Sequence, residues 1–402
     1  MIKGIRREAY DCEAYVSGRS MDEVKEAYGL SQVIKLSSNE NPYAPYEKCR
    51  EAMISEISRI NVYPEKNYKK LKILLGEKFG VGKDYISLGH GAGSVLEEIA
   101  KTFLEEGDEV LVPRQSYRLY REISKIMGAK VIEISLDENY SINPADYMAA
   151  ITSKTKLIWI CNPNNPTGTV IQKEKFENFI ESLPEHIWMV VDEAYAEFAD
   201  KEELPDMIPY IQNRKNVIIV RTFSKYYGLA GARLGYLIAH PEVVRMYDTV
   251  SEPFNANRIA LVGAVTLIEE EYDTCRKYGE LLIRDREQLI DELIKMGCTP
   301  TPSAGNFVFF RLRQNAVCQD AVCQDNIRHD NIRQNNVCHD NVCHDDTGQN
   351  AMEISDILMQ RGVIVRPCNG WGYPQHLRVS VGTPEQNQTF LRELHTALNN
   401  QG

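Results

Sequence analysis

The sequence lacks a long apolar segment. Its N-terminal residues, MIKGIRREAYDCEAY, contain no apolar stretch of signal-peptide length, and no later segment approaches the ~20 uninterrupted apolar residues of a transmembrane helix. These absences argue against a secreted protein and against a membrane protein. We therefore expect no membrane partner and a cytoplasmic location.

An excess of basic residues is also missing. The 402 residues include 46 Lys and Arg against 57 Asp and Glu, which gives a formal net charge of −11. Nucleic-acid binding is favoured by clustered basic residues, so this balance argues against a nucleic-acid partner. It does not exclude a small anionic substrate, because the local field in a pocket can oppose the net charge.

The cysteines do not indicate disulfides or a metal site. Four of the ten fall in one repetitive segment, and the other six are scattered along the chain. A large cytosolic protein has little need of covalent links, so we expect these six to be reduced thiols. In the repeats, the pairs Cys338-His339 and Cys343-His344 place possible metal ligands five positions apart. Ordered zinc sites pair ligands about two to four residues apart, so no metal is predicted.

What is present is an alternating pattern. The length allows roughly two or three domains of ~150 residues. Segments with the apolar spacing of a helix alternate with short apolar segments typical of buried strands. The helix candidates are at 68–79, 94–105, 117–127 and 173–182, and the strand candidates are at 109–112, 130–134, 157–161, 188–191 and 217–221. This alternation predicts an α/β fold with a mainly parallel sheet covered by helices on both faces. In such sheets ligands bind at the carboxyl ends of the strands.

The pattern from about residue 275 onward predicts a smaller α/β domain. It consists of a helix, a strand at 306–312, a helix at 351–361, strands at 363–366 and 377–381, and a last helix. Six five-residue units (AVCQD, AVCQD, NIRHD, NIRQN, NVCHD, NVCHD) fill 316–345, and their polar composition predicts a disordered loop. The predicted division is an N-terminal arm at 1–40 that is part of the small domain, a large domain at 41–265 and a small C-terminal domain at 266–402.

A glycine-rich turn, GHGAGS at 89–94, follows a strand candidate at 85–88 and precedes a helix that we expect to start near Val95. Such a turn presents free backbone N–H groups and the positive end of a helix dipole, which suits a phosphate. By itself the signal is weak, since turns of this kind also serve close packing.

Polar residues also follow the strand candidates at 157–161 and 188–191. In CNPNNPTG at 161–168, Asn165 offers an amide that can donate to a phenolate oxygen, although the segment also reads as a rigid turn. Asp192 follows the strand at 188–191. Its carboxylate could cap a helix, bind a metal or pair with a cationic ring nitrogen. No His or Cys cluster with metal-ligand spacing is nearby, which disfavours the metal.

Lys225 follows the strand at 217–221, and Arg233 stands eight residues later in a Gly- and Ala-rich stretch. A desolvated lysine has a lowered pKa and can form an imine with an aldehyde. Ser224 and Arg233 could complete a phosphate site with the glycine-rich turn. Pyridoxal phosphate (PLP) requires a cradle for its phosphate, a carboxylate for its ring nitrogen N1 and a lysine that forms the imine. It also requires an amide and a phenol for its O3′ oxygen, and Tyr195, three residues after Asp192, offers the phenol.

These motifs resemble the class II aminotransferases of PLP fold type I and, among them, the histidinol-phosphate aminotransferases. The likeness rests on SSNENP at 37–42, Tyr-Pro at 63–64, CNPNNPTG at 161–168, DEAYAEF at 192–198, RTFSKYYGLAGARLGY at 221–236, GVIVRP at 362–367 and LRVSVGT at 377–383. It extends along nearly the whole chain except the repeats. It implies an aspartate-aminotransferase-like large PLP-binding domain.

The resemblance implies roles for single residues. Lys225 would be the Schiff-base lysine and the base that moves a proton between the substrate α-carbon and C4′. Asp192 would keep the pyridine nitrogen protonated. Asn165 and Tyr195 would bind O3′, and Tyr117 would stack on the ring. The cofactor phosphate would be held by Ala92, Gly93, Thr222, Ser224 and Arg233.

The resemblance also implies how the substrate binds. Arg378 would pair bidentately with the substrate α-carboxylate, as guanidinium geometry favours. Arg366, with Tyr15 and Tyr63, would meet the substrate phosphate. Tyr63 would reach into the neighbouring subunit's cofactor site, so the resemblance implies a homodimer.

The implied reaction converts L-histidinol phosphate and 2-oxoglutarate to imidazole acetol phosphate and L-glutamate, a step of histidine biosynthesis. Two alternatives keep the cofactor: an aromatic or other amino-acid aminotransferase, and a PLP-dependent phospho-amino-acid decarboxylase. A third is a catalytically silent binding or assembly protein organised around the repeats. Intact Lys225, Asp192 and Arg378 argue against it.

Overall fold

A computed structural model describes residues 4–14, 18–65, 67–213, 216–313 and 349–399. Tyr15 and the repeat segment at 316–345 lie outside these ranges. Within them the helices are α1 (Glu8–Asp11), α2 (Met21–Tyr28), α3 (Glu47–Glu56), α4 (Lys69–Phe79), α5 (Gly91–Phe103), α6 (Leu119–Ile126), α7 (Pro144–Ala150), α8 (Lys173–Ser182), α9 (Ile208–Asn213), α10 (Pro241–Val250), α11 (Arg258–Glu270), α12 (Tyr272–Lys295), α13 (Ala351–Gln360) and α14 (Pro384–Asn399).

The strands of the same ranges are β1 (Ile34–Lys35), β2 (Ile86–Gly89), β3 (Glu109–Pro113), β4 (Lys130–Ile134), β5 (Thr155–Cys161), β6 (Trp188–Asp192), β7 (Val217–Thr222), β8 (Gly235–Ile238), β9 (Thr299–Pro300), β10 (Phe307–Arg311), β11 (Val363–Ile364), β12 (Arg366–Pro367) and β13 (His376–Ser380). In the described part of the chain, no helix combines the length and the apolar character needed to cross a membrane.

Seven strands form the large sheet, in the order β2-β8-β7-β6-β5-β3-β4. Strands β3 to β7 pair in parallel, whereas β8 is antiparallel to both of its neighbours. The predicted α/β class with a mainly parallel sheet is therefore confirmed. Strand β8 is not among the strand candidates. It has only four residues and follows a glycine-rich motif, and its pairing with β2 and β7 makes it a strand.

The central strands are buried on both faces, which explains their continuous apolar runs. Trp159 and Val190 pack in the hydrophobic core on one side of the sheet, and Ile158 and Val191 pack in the core on the other side. Side chains alternate between the two faces along a strand. Asp192 therefore projects to the same side as Val190, at the carboxyl end of β6.

Helix α5 begins at Gly91 and not near Val95, so the glycine-rich turn is itself the first turn of the helix. The first four N–H groups of a helix have no partner inside it. Gly91 has φ +78°, a conformation that favours glycine. The corrected start places the N–H groups of Ala92 and Gly93 among those that can bind a ligand.

A four-stranded antiparallel sheet, β12-β13-β10-β9, and the parallel pair β1-β11 form a second unit of strands. They pack with α13 and α14 around a core of their own, which includes Leu36 of the N-terminal segment and Phe310. The prediction of one continuous strand at 363–366 is wrong. The segment splits into β11 and β12, because the chain changes its pairing partner from β1 to β13 at Val365. The domain boundaries at 40 and 265 stay a prediction.

Candidate active site

A cavity of about 970 Å³ opens at the carboxyl ends of β5, β6 and β7. Its lining extends to the four-stranded sheet, called the small sheet below, and to the first turn of α5. Twelve of the fourteen residues that the sequence singles out lie on its wall: Ala92, Gly93, Tyr117, Asn165, Asp192, Tyr195, Thr222, Ser224, Lys225, Arg233, Arg366 and Arg378. The strand ends converge because β5, β6 and β7 are parallel neighbours.

Lys225 stands three residues beyond the end of β7 and is half-buried. Its Nζ donates to the carbonyl oxygen of Ser38 at 2.9 Å and lies 5.8 Å from the centre of the Tyr195 ring. Burial, together with the positive charge of Arg378, lowers the pKa of Lys225 to about 8. A neutral amine is nucleophilic, so this lysine is suited to react with an aldehyde.

Asp192 is buried at the end of β6. Its Oδ1 accepts the Ala194 N–H at 3.0 Å, and its Oδ2 accepts the hydroxyl of Tyr120 at 2.7 Å. Burial raises the pKa of Asp192 to about 6, although these hydrogen bonds and the charge of Lys225 oppose the rise. A cationic group bound in the cavity would stabilise the carboxylate further.

Tyr120 belongs to the site but was not predicted from the sequence. It is buried on α6, stacks on Trp159 with ring centres 5.5 Å apart, and donates its hydroxyl to Asp192. Ser124 fixes this arrangement, since its hydroxyl donates to the Tyr120 carbonyl at 2.7 Å and accepts the Trp159 indole N–H at 3.0 Å. The one available signal was the three-residue spacing from Tyr117, which also lines the cavity.

The glycine-rich first turn of α5 lies against Arg233. A Cβ at Gly91 would lie within van der Waals distance of the Arg233 guanidinium, which would have to move, so glycine leaves room for the guanidinium where it now stands. Arg233 Nη1 donates to the Ala230 carbonyl at 3.1 Å and to the Ser224 hydroxyl at 3.5 Å. The Ser224 N–H donates to the Thr222 hydroxyl at 3.0 Å. Helix N–H groups, hydroxyls and a guanidinium together form an anion site.

Asn165 and Tyr195 are each held by a partner from a distant part of the chain. Arg378 Nη1 donates to the side-chain oxygen of Asn165, so the group that Asn165 can offer to a ligand is its NH₂. The Tyr195 hydroxyl accepts the Asn39 side-chain N–H at 3.0 Å, and burial raises the pKa of Tyr195. The sequence reading also missed Asn39, although it lies inside the SSNENP motif. Its backbone N–H donates to Ser380 Oγ at 2.7 Å.

Arg366 and Arg378 come from adjacent strands, β12 and β13, where they stand directly opposite each other. Arg378 is buried, and its Nη2 donates to the Ser37 carbonyl at 2.7 Å. Both side chains line the cavity, which therefore has two guanidinium groups at its small-sheet side.

The two remaining singled-out residues are Tyr63 and Tyr15. Tyr63 does not line the cavity of its own chain; its side chain is 75% exposed and stacks on Phe254 with ring centres 4.5 Å apart. Tyr15 falls outside the described residues, but the nearby Glu13 lines the cavity and forms an ion pair with Arg118 at 2.7 Å. Among the described residues, no three His, Cys, Asp or Glu side chains are grouped so as to hold a metal ion.

Comparison with known proteins identifies the family. Residues 31–394 match the sequence pattern of the family described as aminotransferase class I and II. The chain belongs to this aminotransferase family. It is thus an enzyme of the PLP-dependent transaminase type, and the family predicted from its motifs is confirmed.

Individual relatives agree with this assignment. Histidinol-phosphate aminotransferase 2 of Pasteurella multocida is 34% identical, covering 96% of this chain and 95% of the relative. A crystal structure of histidinol-phosphate aminotransferase from Sinorhizobium meliloti, in complex with pyridoxal-5'-phosphate, has a TM-score of 0.83 at 22% identity and covers 100% and 99% of the two chains. Aspartate aminotransferase from Thermus thermophilus, with maleate, has a TM-score of 0.78 at 20% identity and covers 98% and 100%. The aspartate-aminotransferase-like fold is confirmed.

Proposed function

We propose that this aminotransferase exchanges an amino group between L-histidinol phosphate and 2-oxoglutarate in histidine biosynthesis. One observation carries the proposal. A half-buried lysine, a buried aspartate and two arginines line the same cavity of a chain that is 34% identical to a histidinol-phosphate aminotransferase over nearly its whole length. We also propose a cytoplasmic location, as expected of a biosynthetic enzyme without a long apolar segment.

The residues of the cavity suit pyridoxal phosphate. The N–H groups of Ala92 and Gly93, with Thr222, Ser224 and Arg233, would hold its phosphate, and the space that a Cβ at Gly91 would fill is taken by the Arg233 guanidinium. The buried Asp192 carboxylate would pair with its ring nitrogen. Asn165 and Tyr195 would bind O3′, and Tyr117 would stack on the ring.

Bound pyridoxal phosphate supplies an aldehyde that joins amines and an electron-poor ring that accepts electrons from the substrate α-carbon. The Lys225 amine would join the cofactor and then carry the proton that leaves the substrate α-carbon. With a pKa of about 8, its neutral fraction at neutral pH is on the order of 10²-fold larger than that of an ordinary lysine. Asp192 would keep the ring nitrogen protonated, and Tyr120 would orient the Asp192 carboxylate.

The two arginines fit the chemistry of both substrates. L-Histidinol phosphate carries a phosphate ester and no carboxylate, whereas 2-oxoglutarate carries two carboxylates. Arg378 would pair with the α-carboxylate of the 2-oxo acid, and Arg366 would meet the phosphate of the donor with Tyr15 and Tyr63. One cavity could then bind the anionic groups of the two substrates in turn, because guanidinium groups suit carboxylate and phosphate equally.

We further propose a homodimer in which Tyr63 reaches the partner's cavity. Tyr63 is exposed and does not line the cavity of its own chain, and the adjoining apolar residues Ile57, Ile60 and Val62 are more than half exposed. Arg258 anchors this segment, since its guanidinium donates to the Tyr63 carbonyl at 2.9 Å and pairs with Glu56. Exposed apolar residues of this kind favour contact with another protein surface.

The test is a half-reaction screen with the PLP-loaded protein. Each candidate donor is added alone, and the absorption band of the lysine-linked cofactor is followed. We expect rapid bleaching with L-histidinol phosphate and slow bleaching with phenylalanine, tyrosine or threonine phosphate. Faster bleaching by phenylalanine or tyrosine would replace the proposal with an aromatic aminotransferase. Release of CO₂ from threonine phosphate would replace it with a decarboxylase.

A further inference from the structure

Trp371 contacts both arginines of the cavity. The guanidinium carbon of Arg366 lies 5.7 Å from the centre of its ring, and that of Arg378 lies 5.8 Å from it. The Arg378 guanidinium also lies 5.4 Å from the centre of the Phe307 ring. Cations within about 6 Å of an aromatic face are attracted by the ring quadrupole. The indole is thus a shared neutral contact for two positive charges.

The two arginines need such a contact, because they stand directly opposite each other on β12 and β13. Cross-strand neighbours have Cβ atoms roughly 5 Å apart, and like charges in that position repel. Arg378 has further partners in Ser37 and Asn165, which fix its guanidinium. For Arg366, the aromatic face of Trp371 is a contact that limits where its guanidinium can go.

The position of Trp371 is itself fixed from the other side of the cavity. Trp371 ends the short 3₁₀ turn Asn369–Trp371 between β12 and β13. Its indole N–H donates to the carbonyl oxygen of Ser116 at 2.7 Å, next to Tyr117 in the segment that follows β3. The hydrogen bond connects the hairpin that carries the arginines to the large-sheet part of the cavity.

We propose that Trp371 is a positioning residue that sets the spacing of the Arg366 and Arg378 guanidinium groups for the anionic groups of the substrates. The proposal rests on the proposed function, in which these arginines bind phosphate and carboxylate. It assigns Trp371 no contact with the reacting atoms. Its loss should therefore weaken binding of anionic ligands and leave turnover at saturation nearly unchanged.

The experiment compares W371L, which removes the aromatic face, with W371F, which keeps a ring and loses the N–H donor. Dissociation constants of inorganic phosphate and of 2-oxoglutarate are measured on the PLP-loaded protein by calorimetry, and KM and kcat are measured separately. We expect W371L to raise the dissociation constants and KM about tenfold and W371F about threefold, with kcat within about twofold. W188L, which removes a tryptophan outside the cavity lining, serves as the matched control and should change none of these values.

Three results would overturn the proposal. One is W371L protein with unchanged dissociation constants. Another is a fall in kcat at constant KM. The third is an equal loss in W371F and W371L, which would assign the effect to the N–H bond and not to the ring. R366A separates this proposal from the proposed function. If R366A leaves phosphate binding unchanged, the Trp371 proposal fails together with the role of Arg366 in the proposed function. If R366A weakens phosphate binding and W371L does not, only the Trp371 proposal fails.

Discussion

The two sides of the cavity are built in different ways. On the large-sheet side, which carries Asp192 and Lys225, the functional groups follow parallel neighbouring strands and reach the same edge because the strands do. On the small-sheet side, which carries Arg366 and Arg378, two like charges stand opposite each other on antiparallel strands. There the positions depend on contacts with other parts of the chain, including Ser37, Asn165 and Trp371.

This difference separates two kinds of preorganisation. Strand topology fixes the large-sheet side, so its chemistry should be lost completely only when the reacting group itself is removed. The small-sheet side is fixed by hydrogen bonds and aromatic contacts between distant segments, so changes at supporting residues should alter affinity first. The following experiments test this distinction.

The largest effect is expected for K225A on the large-sheet side. Loss of the only amine proposed to join the cofactor and carry the α-proton should reduce turnover by at least about 10⁴-fold. The absorption band of the lysine-linked cofactor should disappear, as followed by spectroscopy after addition of PLP. In K130A, which removes a mostly exposed lysine, the band should persist. A band that survives in K225A protein would refute the assignment.

The second-largest effect is expected when Y63A and K225A subunits are combined, because Tyr63 is proposed to act in the cavity of the partner subunit. Y63A and K225A proteins should each be weakly active or inactive. In mixed dimers one of the two cavities has both Lys225 and the partner's tyrosine, so random exchange should restore up to about a quarter of wild-type activity. The measurement is activity after co-refolding or co-expression of the two variants. If activity after mixing equals the average of the separate proteins, Tyr63 acts within its own subunit or not at all.

R378K tests the small-sheet side. Lysine keeps the positive charge but not the planar fork that binds a carboxylate through two N–H groups and also holds Asn165. We expect KM for 2-oxoglutarate to rise by about 30-fold, with a smaller change in kcat, in steady-state assays. R311K, which alters an arginine outside the cavity lining, is the control. A loss confined to kcat would show that Arg378 acts in the chemical step, as Lys225 and Asp192 are proposed to do. It would contradict the distinction between the two sides of the cavity.

Y120F tests support within the large-sheet side. The hydroxyl of Tyr120 donates to the Asp192 carboxylate and holds its pKa down, near 6; without it the pKa rises. Activity needs the ionised carboxylate, so the low-pH limb of the kcat/KM profile should move to higher pH, with about a tenfold loss at pH 7. Y147F removes another buried tyrosine hydroxyl, one without a hydrogen-bond partner among the described residues, and should shift nothing.

The smallest effect is expected from deletion of 316–345. The described residues on either side meet at one point, since Arg313 Nη2 and Gln349 Nε2 donate to the same carbonyl oxygen, that of Leu398, at 2.6 and 3.2 Å. The entropy of closing a loop grows only with the logarithm of its length, so a shorter connection should be tolerated. We expect kcat/KM within about twofold of the full chain. A complete loss of activity would favour a protein organised around the repeats.

The large-sheet side of the cavity follows from the amino-acid sequence alone. Runs of apolar, β-branched residues predict buried parallel strands, and such strands carry the residues that follow them to one edge. Asn165, Asp192 and Lys225 could therefore be assigned to one site from their places in the chain. The start of α5 was predicted four residues late because its first turn is rich in glycine, which disfavours helix in isolation.

The partners of these residues depend on the tertiary structure. Tyr120 and Asp192 are 72 positions apart, Asn39 and Tyr195 are 156 apart, and Arg378 lies 213 positions from Asn165. Contacts over such separations depend on how α6, the N-terminal segment and the small sheet pack on the large sheet, which no local pattern records. The lowered pKa of Lys225 has the same origin, since it comes from burial and from the charge of Arg378. Motifs thus specify the reacting groups, and packing sets their protonation and spacing.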